Sequence, residues 1–220
     1  MGLAHSPHIV TDGLILALDA GNTKSYPGSG TSWTDTVGGN IGTLTNGPTY
    51  SSDNSGSIVF DGSNDYIQLS TNSNLTLTGD FTYETWIQTD VQTGSKHVWK
   101  ITDPNATLQF TDNVSPDQIS YYSSITGNQA FGVLANSTWG HLVLTKSGNT
   151  LSGYLNGSQS WTNTPGSSAT HDFSGVRIGS RHTESGYYWD GRMSVIRIYN
   201  RSFTAAEVLQ NYDALKGRYA

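Results

Sequence analysis

The chain has 220 residues, of which 35% are hydrophobic, 13% are charged and none is cysteine. Its formal net charge is −6 and its 11 lysines and arginines are scattered, so the clustered positive charge that displaces phosphate counterions is missing and nucleic-acid binding is excluded. The lack of cysteine excludes disulfides, thiolate metal sites and cysteine nucleophiles, and no apolar run approaches the roughly 18 residues of a membrane helix.

The length suits one β-rich domain, read as an arm over residues 1–12 and a domain over 13–220. MGLAHSPHIV (Met1–Val10) has no periodicity. Either it is a frayed terminus, or His5, His8, Ile9 and Val10 dock on a neighbouring subunit as an assembly handle. GLILALDA (Gly13–Ala20) is the first strong strand and is nearly all apolar, which fits burial on both faces. Its apolar run is short and follows no basic region, so no secretory signal is read. Gly21–Gly42 is a long polar loop in which Trp33 is the expected anchor.

Ser57–Leu69, SIVFDGSNDYIQL, reads as a hairpin. Asp61, Asn64 and Asp65 at its turn could supply oxygen ligands to calcium. The same residue types bond their own backbone in tight turns, and the spacing is not that of an EF-hand loop, which favours the turn role. Asp80–Thr89, DFTYETWIQT, alternates strictly, with Phe81, Tyr83, Thr85 and Ile87 on one face and Thr82, Glu84, Trp86 and Gln88 on the other. Glu84 beside Trp86 invites a glycosidase reading. Cleavage of a glycosidic bond usually needs a second carboxyl at a set distance, and no carboxylate shares the strand face of Glu84.

Lys96–Ile101, Ala106–Phe110 and Gln118–Ser123 are shorter strands. In the last of these Tyr121-Tyr122 places one ring on each face. Trp139–Gly157, WGHLVLTKSGNTLSGYLNG, is the central hairpin, with Gly148 and Asn149 in its turn and Asn156-Gly157 as a second turn signal. Ser158–Ser174 reads as a polar loop carrying Trp161, and Thr183–Asp190, TESGYYWD, as an aromatic-rich loop. Aromatic rings stack on the apolar faces of sugars, so Trp161, Tyr187, Tyr188 and Tyr121 are the candidate ligand contacts. The competing reading is that they pack under their own loops or against another protein. After a strand over Met193–Asn200, Thr204 and Glu207 form a capping box, and Phe203 and Val208 a hydrophobic staple, for one short helix along which Val208, Tyr212 and Leu215 share a face. Glu207 is therefore structural.

Short strands, many Gly and Asn turns and one late helix point to an antiparallel sandwich. The blocks SIVFDGSNDYIQL, DFTYETWIQT, WGHLVLTKSGNTLSGYLNGS, VRIGSR and YYWDGRMSVIRIYNRSFTAAEVLQNYDAL follow one another over roughly Gly13–Leu215. In that order they resemble the laminin-G-like, concanavalin A-like jelly-roll family. The resemblance implies an all-β fold, a two-sheet antiparallel jelly-roll sandwich with one short C-terminal helix, that binds carbohydrate or protein and sometimes calcium. GLILALDAGNTKSYPGSGTSWTD and LTNGPTYSSDNSGSIVFDG are especially similar to versions in virion proteins of tailed phages, many infecting marine cyanobacteria. Where the family commonly carries an acidic pair in its last strand, this chain has Ser194 and Val195, and the Glu, Asp and Glu strand motif of related β-glucanases is missing.

The expectation is thus a non-enzymatic virion structural or decoration protein of a tailed phage, located in the extracellular particle. Its partners would be capsid or tail proteins, host-surface glycans and further copies of itself. The alternative is a free or adhesin-borne carbohydrate-binding lectin module, with a glycan-cleaving enzyme third. No cofactor is expected, with calcium the one metal raised by the sequence.

Overall fold

The computed structural model describes residues 7–90, 94–101, 106–111, 118–165, 170–181 and 186–220. The described strands are β1 (Leu14–Asp19), β2 (Ser32–Thr34), β3 (Ile41–Thr45), β4 (Thr49–Ser51), β5 (Ser57–Asp61), β6 (Tyr66–Leu69), β7 (Thr76–Leu77), β8 (Phe81–Thr89) and β9 (Lys96–Lys100). They continue with β10 (Thr107–Thr111), β11 (Gln118–Ser123), β12 (Gly127–Gly132), β13 (Trp139–Ser147), β14 (Thr150–Leu155), β15 (Ser158–Asn163), β16 (His171–Asp172), β17 (Arg177–Ile178) and β18 (Asp190–Tyr199). One α-helix, α1 (Ala205–Leu215), follows.

The first sheet has the order β15-β14-β13-β8-β18-β5-β4, and the second β12-β11-β10-β9-β17-β6-β3-β2. Pairing is antiparallel throughout the described ladders. The long β18 serves two neighbours on one edge: Asp190–Met193 pairs with β5, while Val195–Tyr199 pairs with β1. β7 and β16 form a small separate ribbon. This is the expected two-sheet antiparallel sandwich with one short C-terminal helix.

The core lies between the sheets, where Phe81, Tyr83 and Ile87 of β8 meet Leu142 and Leu144 of β13, and Trp99 and Tyr121 of the second sheet. A second cluster sits on the opposite face of the first sheet, where Val143, Tyr154 and Tyr199 are capped by Phe203 and Val208. The first sheet is therefore covered on both faces, which explains why β8 and β13 are buried almost end to end.

Local chemistry sets the connections. Asn156 and Gly157 have φ of 52° and 78°, the pair of positive values that joins β14 to β15 in a tight hairpin. Trp33 is fully buried in β2 and anchors the polar segment around that strand. The Asp35 carboxylate organises the same segment, accepting from Ala17 N, Val37 N and Gly38 N at 2.8–3.0 Å. At the helix start Glu207 N donates to Thr204 Oγ1 at 3.3 Å and Thr204 N donates to Glu207 Oε2 at 2.8 Å, completing the capping box. Arg201 donates to the same carboxylate, and that bond leads the effects that hold the Glu207 pKa down to about 2.

Two expectations change and one strand is new to the sequence reading: Ser32–Thr34, inside the expected Gly21–Gly42 loop, is strand β2. Ser158–Asn163 is strand β15 rather than loop. Gly127–Gly132, whose residues carry little apolar periodicity, forms the edge strand β12. On the helix, the expected apolar line is broken by Asn211, which is fully buried beside Val208.

Candidate functional site

Residues paired directly across antiparallel strands share a face. One such row crosses the second sheet through Tyr122, Thr107, Lys100, Arg177 and Gln68. Tyr122 is 39% exposed, so the row lies on the outer face. The adjoining row pairs Gln109 with His97.

A β-bulge makes this arrangement. Leu108 pairs with Trp99 and Gln109 with His97, which leaves Val98 as an extra residue. Val98 and Trp99 both point into the core, and His97 and Lys100 both turn outward to line one cavity. Regular alternation would put residues three apart on opposite faces.

The cavity holds about 280 Å³. Its floor is His97, Lys100, Thr107 and Gln109, and its walls are Tyr122, Arg181 and Tyr187. Thr107 Oγ1 donates to Gln109 Oε1 at 2.9 Å and fixes the amide. The Tyr187 carbonyl accepts from His97 N at 2.9 Å, and the two rings lie 4.8 Å apart. The Arg181 guanidinium sits over the Tyr187 ring at 5.0 Å. Tyr187 is 41% exposed and held at φ 59°, a sparsely populated conformation for a bulky residue. Strain of this kind costs about 1–3 kcal/mol and clusters at ligand sites.

His97 is only 5% exposed. Burial, followed by the charges of Arg181 and Lys100, pushes its pKa down to about 3 from 6.5. The folded state thus refuses a proton that the unfolded chain accepts. His97 contributes stability that is complete above pH 6.5 and lost as the pH falls toward 3, with a slope of up to about 1.4 kcal/mol per pH unit. His97→Gln is expected to flatten the stability profile between pH 6.5 and 4.5. Urea midpoints across that range check it, and an unchanged slope would refute the assignment.

Of the ligand candidates from sequence, Tyr187 lines this cavity and Tyr188 lies half-buried beside it in the chain. Tyr121 is corrected, because it packs inside the sandwich, and Trp161 is partly buried and packs against that core away from the cavity. Tyr121 is fully buried, its hydroxyl 3.0 Å from His171 Nε2. The Trp161 ring stacks on it at 5.9 Å and meets Phe131 edge-on at 5.7 Å. The cross-strand partner of Trp161 is Gly153, where a Cβ would overlap the indole, so the glycine makes room for the ring. Tyr122 is the ring that reaches the site. Phase within β11 could have shown this, because Tyr121 shares its face with the apolar Ile119 and Tyr122 does not.

The Asp61, Asn64 and Asp65 turn does not fit a calcium site. Asp61 Oδ1 accepts from Ser63 N at 2.9 Å and from Asn64 N at 3.4 Å, and Asp65 Oδ2 accepts from Asp61 N at 3.1 Å. The carboxylates are thus engaged by backbone donors, as the turn reading required. Among the described residues no group of three or more His, Asp or Glu is placed to hold a metal ion.

His5 lies outside the described residues. His8 is exposed and Ile9 half-buried. Val10 is corrected as an intermolecular handle: it is buried in the second cluster, and its N–H donates to Asn211 Oδ1 at 2.7 Å. The His8 carbonyl accepts from Gln210. The end of the arm is thus tied to α1 of its own chain.

Glu84 lies on the other sheet, sealed beneath α1. His141 Nε2 and Arg197 Nη1 approach its Oε1 at 3.0 and 3.1 Å, and Asn211 Nδ2 donates to Oε2 at 2.8 Å. The Tyr199 hydroxyl lies 3.3 Å from Oε2. Burial alone would raise the Glu84 pKa, but the Arg197 charge and the bonds from His141 and Asn211 prevail and hold it down to about 2. His141 presents Nε2–H to the carboxylate, and its Nδ1 has no hydrogen-bond partner among the described residues. A closed, saturated carboxylate of this kind has no access to substrate.

The sequence profile described as Laminin_G_3, concanavalin A-like lectin/glucanases superfamily, matches residues 61–209. No curated protein matches the chain. Several solved structures share its fold. Domain 4 of AbnA, a GH43 extracellular arabinanase from Geobacillus stearothermophilus in complex with arabinotriose, superposes with a TM-score of 0.69 at 16% identity, covering 90% of this chain and 98% of that one. The Trypanosoma rangeli sialidase in complex with sialic acid gives 0.72 at 16% identity over 98% of this chain, which spans 36% of the sialidase. The binding domain of Paraclostridial Mosquitocidal Protein 1 gives 0.70 at 14% identity, covering 91% and 52%. At these identities the likeness is one of fold.

Proposed function

The chain belongs to the concanavalin A-like lectin/glucanases superfamily, and on that footing we propose that it is a carbohydrate-binding module that holds a glycan without cleaving it. The observation that carries this reading is the outer-face cavity, where two half-exposed rings, Tyr122 and Tyr187, flank a polar floor. Rings offer flat apolar surface to a sugar, and the amide, hydroxyl and cationic groups between them offer directed hydrogen bonds. Two of the similar structures, the arabinanase domain and the sialidase, were solved with sugars bound.

The non-enzymatic part of the reading rests on carboxylates. Hydrolysis usually needs two at a set separation. None of the described residues lining the cavity is Asp or Glu, and Glu84 is shut away on the other sheet. Titration of the protein against a panel of oligosaccharides tests the proposal. Tyr122→Ala and Tyr187→Ala should each weaken binding about three- to tenfold, the usual worth of one aromatic contact, with no new reducing ends after long incubation. Binding untouched by both substitutions would refute the site, and release of reducing sugar would refute the non-enzymatic role.

We place this module on the particle of a tailed phage, on the strength of the resemblance carried by the stretches that begin at Gly13 and Leu44. Quantitative proteomics of purified particles is the check. A copy number close to that of the major capsid protein makes it a head decoration protein, and a few copies per particle make it a tail component. Its absence from particles would leave the free lectin.

A further inference from the structure

We propose that the sandwich carries a second glycan site, on the outer face of the first sheet beside the C-terminal end of α1, and that this site takes an uncharged pyranose. The inference goes beyond the carbohydrate-binding role of the cavity between Tyr122 and Tyr187 and adds a site of its own.

The register of β8 and β13 builds the floor. Trp139 pairs with Gln88 and His141 with Trp86, so Trp86 and Trp139 share one face of the sheet, the face on which Tyr212 of α1 stacks. A cavity of about 390 Å³ lies there, with Trp86, Trp139, Tyr212, Tyr219, Asn156 and Lys216 in its lining. That volume falls within the range of about 300–1,000 Å³ usual for small-ligand sites. The rings are locked to one another. Tyr219 stacks on Trp86 at 4.1 Å and Tyr212 does so at 5.8 Å. Trp139 tilts against Tyr219 at 4.7 Å, and its Nε1 donates to Asn54 Oδ1 at 3.1 Å. Trp86 is buried beneath them, whereas Trp139, Tyr212 and Tyr219 are only half-buried. Aromatic surface held in this way loses little freedom when an apolar sugar face stacks on it.

Asn156 supplies direction. His141 N donates to its Oδ1 at 2.9 Å, which fixes the carboxamide by its oxygen, and the exposed side chain keeps its amino group as a donor to a hydroxyl. The charges at the site are matched within the chain. Lys216 Nζ lies 2.7 Å from Asp213 Oδ1 and 5.6 Å over the Tyr212 ring. The Arg218 guanidinium sits 5.3 Å over the Tyr219 ring, with its Nη1 2.8 Å from Asp19 Oδ1. A cationic ligand would meet two cations already resting on these rings. An anionic ligand would compete with Asp213 for Lys216. An uncharged pyranose meets neither cost: its apolar face suits the rings, and its hydroxyl edge suits Asn156. The two cavities lie on opposite outer faces of the sandwich, so one chain holds two glycan strands at once, and strands anchored to one surface would be bound with avidity.

Calorimetric titration of the full chain with the neutral disaccharides lactose, maltose, cellobiose and mannobiose tests this by stoichiometry, because a disaccharide is too short to bridge the two faces. At least one of them should bind with two equivalents per chain. Trp139→Ala should remove one equivalent and Tyr122→Ala should weaken the other. Trp139→Phe, which keeps a ring, should retain the second site at about three- to tenfold lower affinity and shows that the position tolerates substitution. Asn156→Gly, which suits the φ of 52°, should weaken the same site by about three- to tenfold, the worth of one hydrogen bond, without altering the other. A single equivalent weakened by Tyr122→Ala and untouched by Trp139→Ala and Asn156→Gly would overturn the second site and leave the carbohydrate-binding reading standing. A single equivalent lost with Trp139→Ala and untouched by Tyr122→Ala would support the second site and refute the first. Failure of all four disaccharides to bind would overturn the second site, whereas the carbohydrate-binding reading would fall only with the wider oligosaccharide panel.

Discussion

Replacing Glu84 with alanine is expected to lower the unfolding free energy by about 3–5 kcal/mol, the usual cost of removing one partner from a buried ion pair. Arg197 would remain in the first sheet, almost wholly buried, without its counter-charge. Asn211, Tyr199 and His141 would each lose an acceptor as well. These four residues come from α1, β18 and β13, and Asn211 also holds Val10, so the carboxylate joins both chain ends to the middle of the sheet. The pH dependence has a fixed sign. Folding lowers the Glu84 pKa from 4.5 to about 2, so its stabilisation is complete above pH 4.5 and disappears as the pH falls toward 2. The alanine variant should lose that part of the acid slope and keep the His97 part at higher pH. Urea unfolding at several pH values reads both. A double variant that also removes the Arg197 charge should be less destabilised than the sum of the single changes. Glycan binding between Tyr122 and Tyr187 should be unaffected, because that cavity lies on the other sheet. A catalytic Glu84 would behave in the opposite way, with stability kept and turnover lost. A stability loss below about 1 kcal/mol would show that the buried Arg197 finds compensation elsewhere.

The features of the fold that follow a local rule were legible in the sequence. The alternation of Phe81–Thr89, the Asn156-Gly157 turn and the Thr204–Glu207 capping box each rest on residues close together in the chain. Trp33 could be read as a loop anchor because one large ring in a polar segment has few other uses. The features that depend on long-range contact were not legible. β12 carries the sequence GNQAFG and is a strand because β11 offers it a ladder, not because of its own propensity. Trp161 looked like a ligand platform in a polar loop, and its true place is set by the space that Gly153 leaves on the neighbouring strand. Val10 looked free because its partner Asn211 is 201 residues away. The site was half visible. Tyr187 stood out in an aromatic loop, whereas Tyr122 needed the phase of β11. His97 and Lys100 could not be placed on one face by any regular period, since the bulge at Val98 brings them together.

That bulge gives the second large effect. Trp99→Ala is expected to cost about 3–5 kcal/mol of stability, as truncation of a buried aromatic does, and to weaken glycan binding as well. The Trp99 ring meets Phe173 at 5.2 Å, Tyr83 at 5.4 Å and Tyr121 at 6.4 Å, each edge-on. Such pairs add about 0.5–1.5 kcal/mol beyond the area they bury. The same residue fixes the phase of β9. With Val98 and Trp99 both turned inward, His97 and Lys100 face the cavity together. Without the indole, a regular register becomes competitive, in which Lys100 or His97 would turn toward the core and the cavity floor would be lost. Trp99→Phe keeps a ring in the core and should restore affinity more fully than stability. Unfolding in urea and titration with one bound oligosaccharide distinguish the two roles. If Trp99→Ala loses stability but keeps full affinity, packing does not hold the bulge. The 2.7 Å bond from Gly179 N to the Val98 carbonyl would then be the contact that sets it.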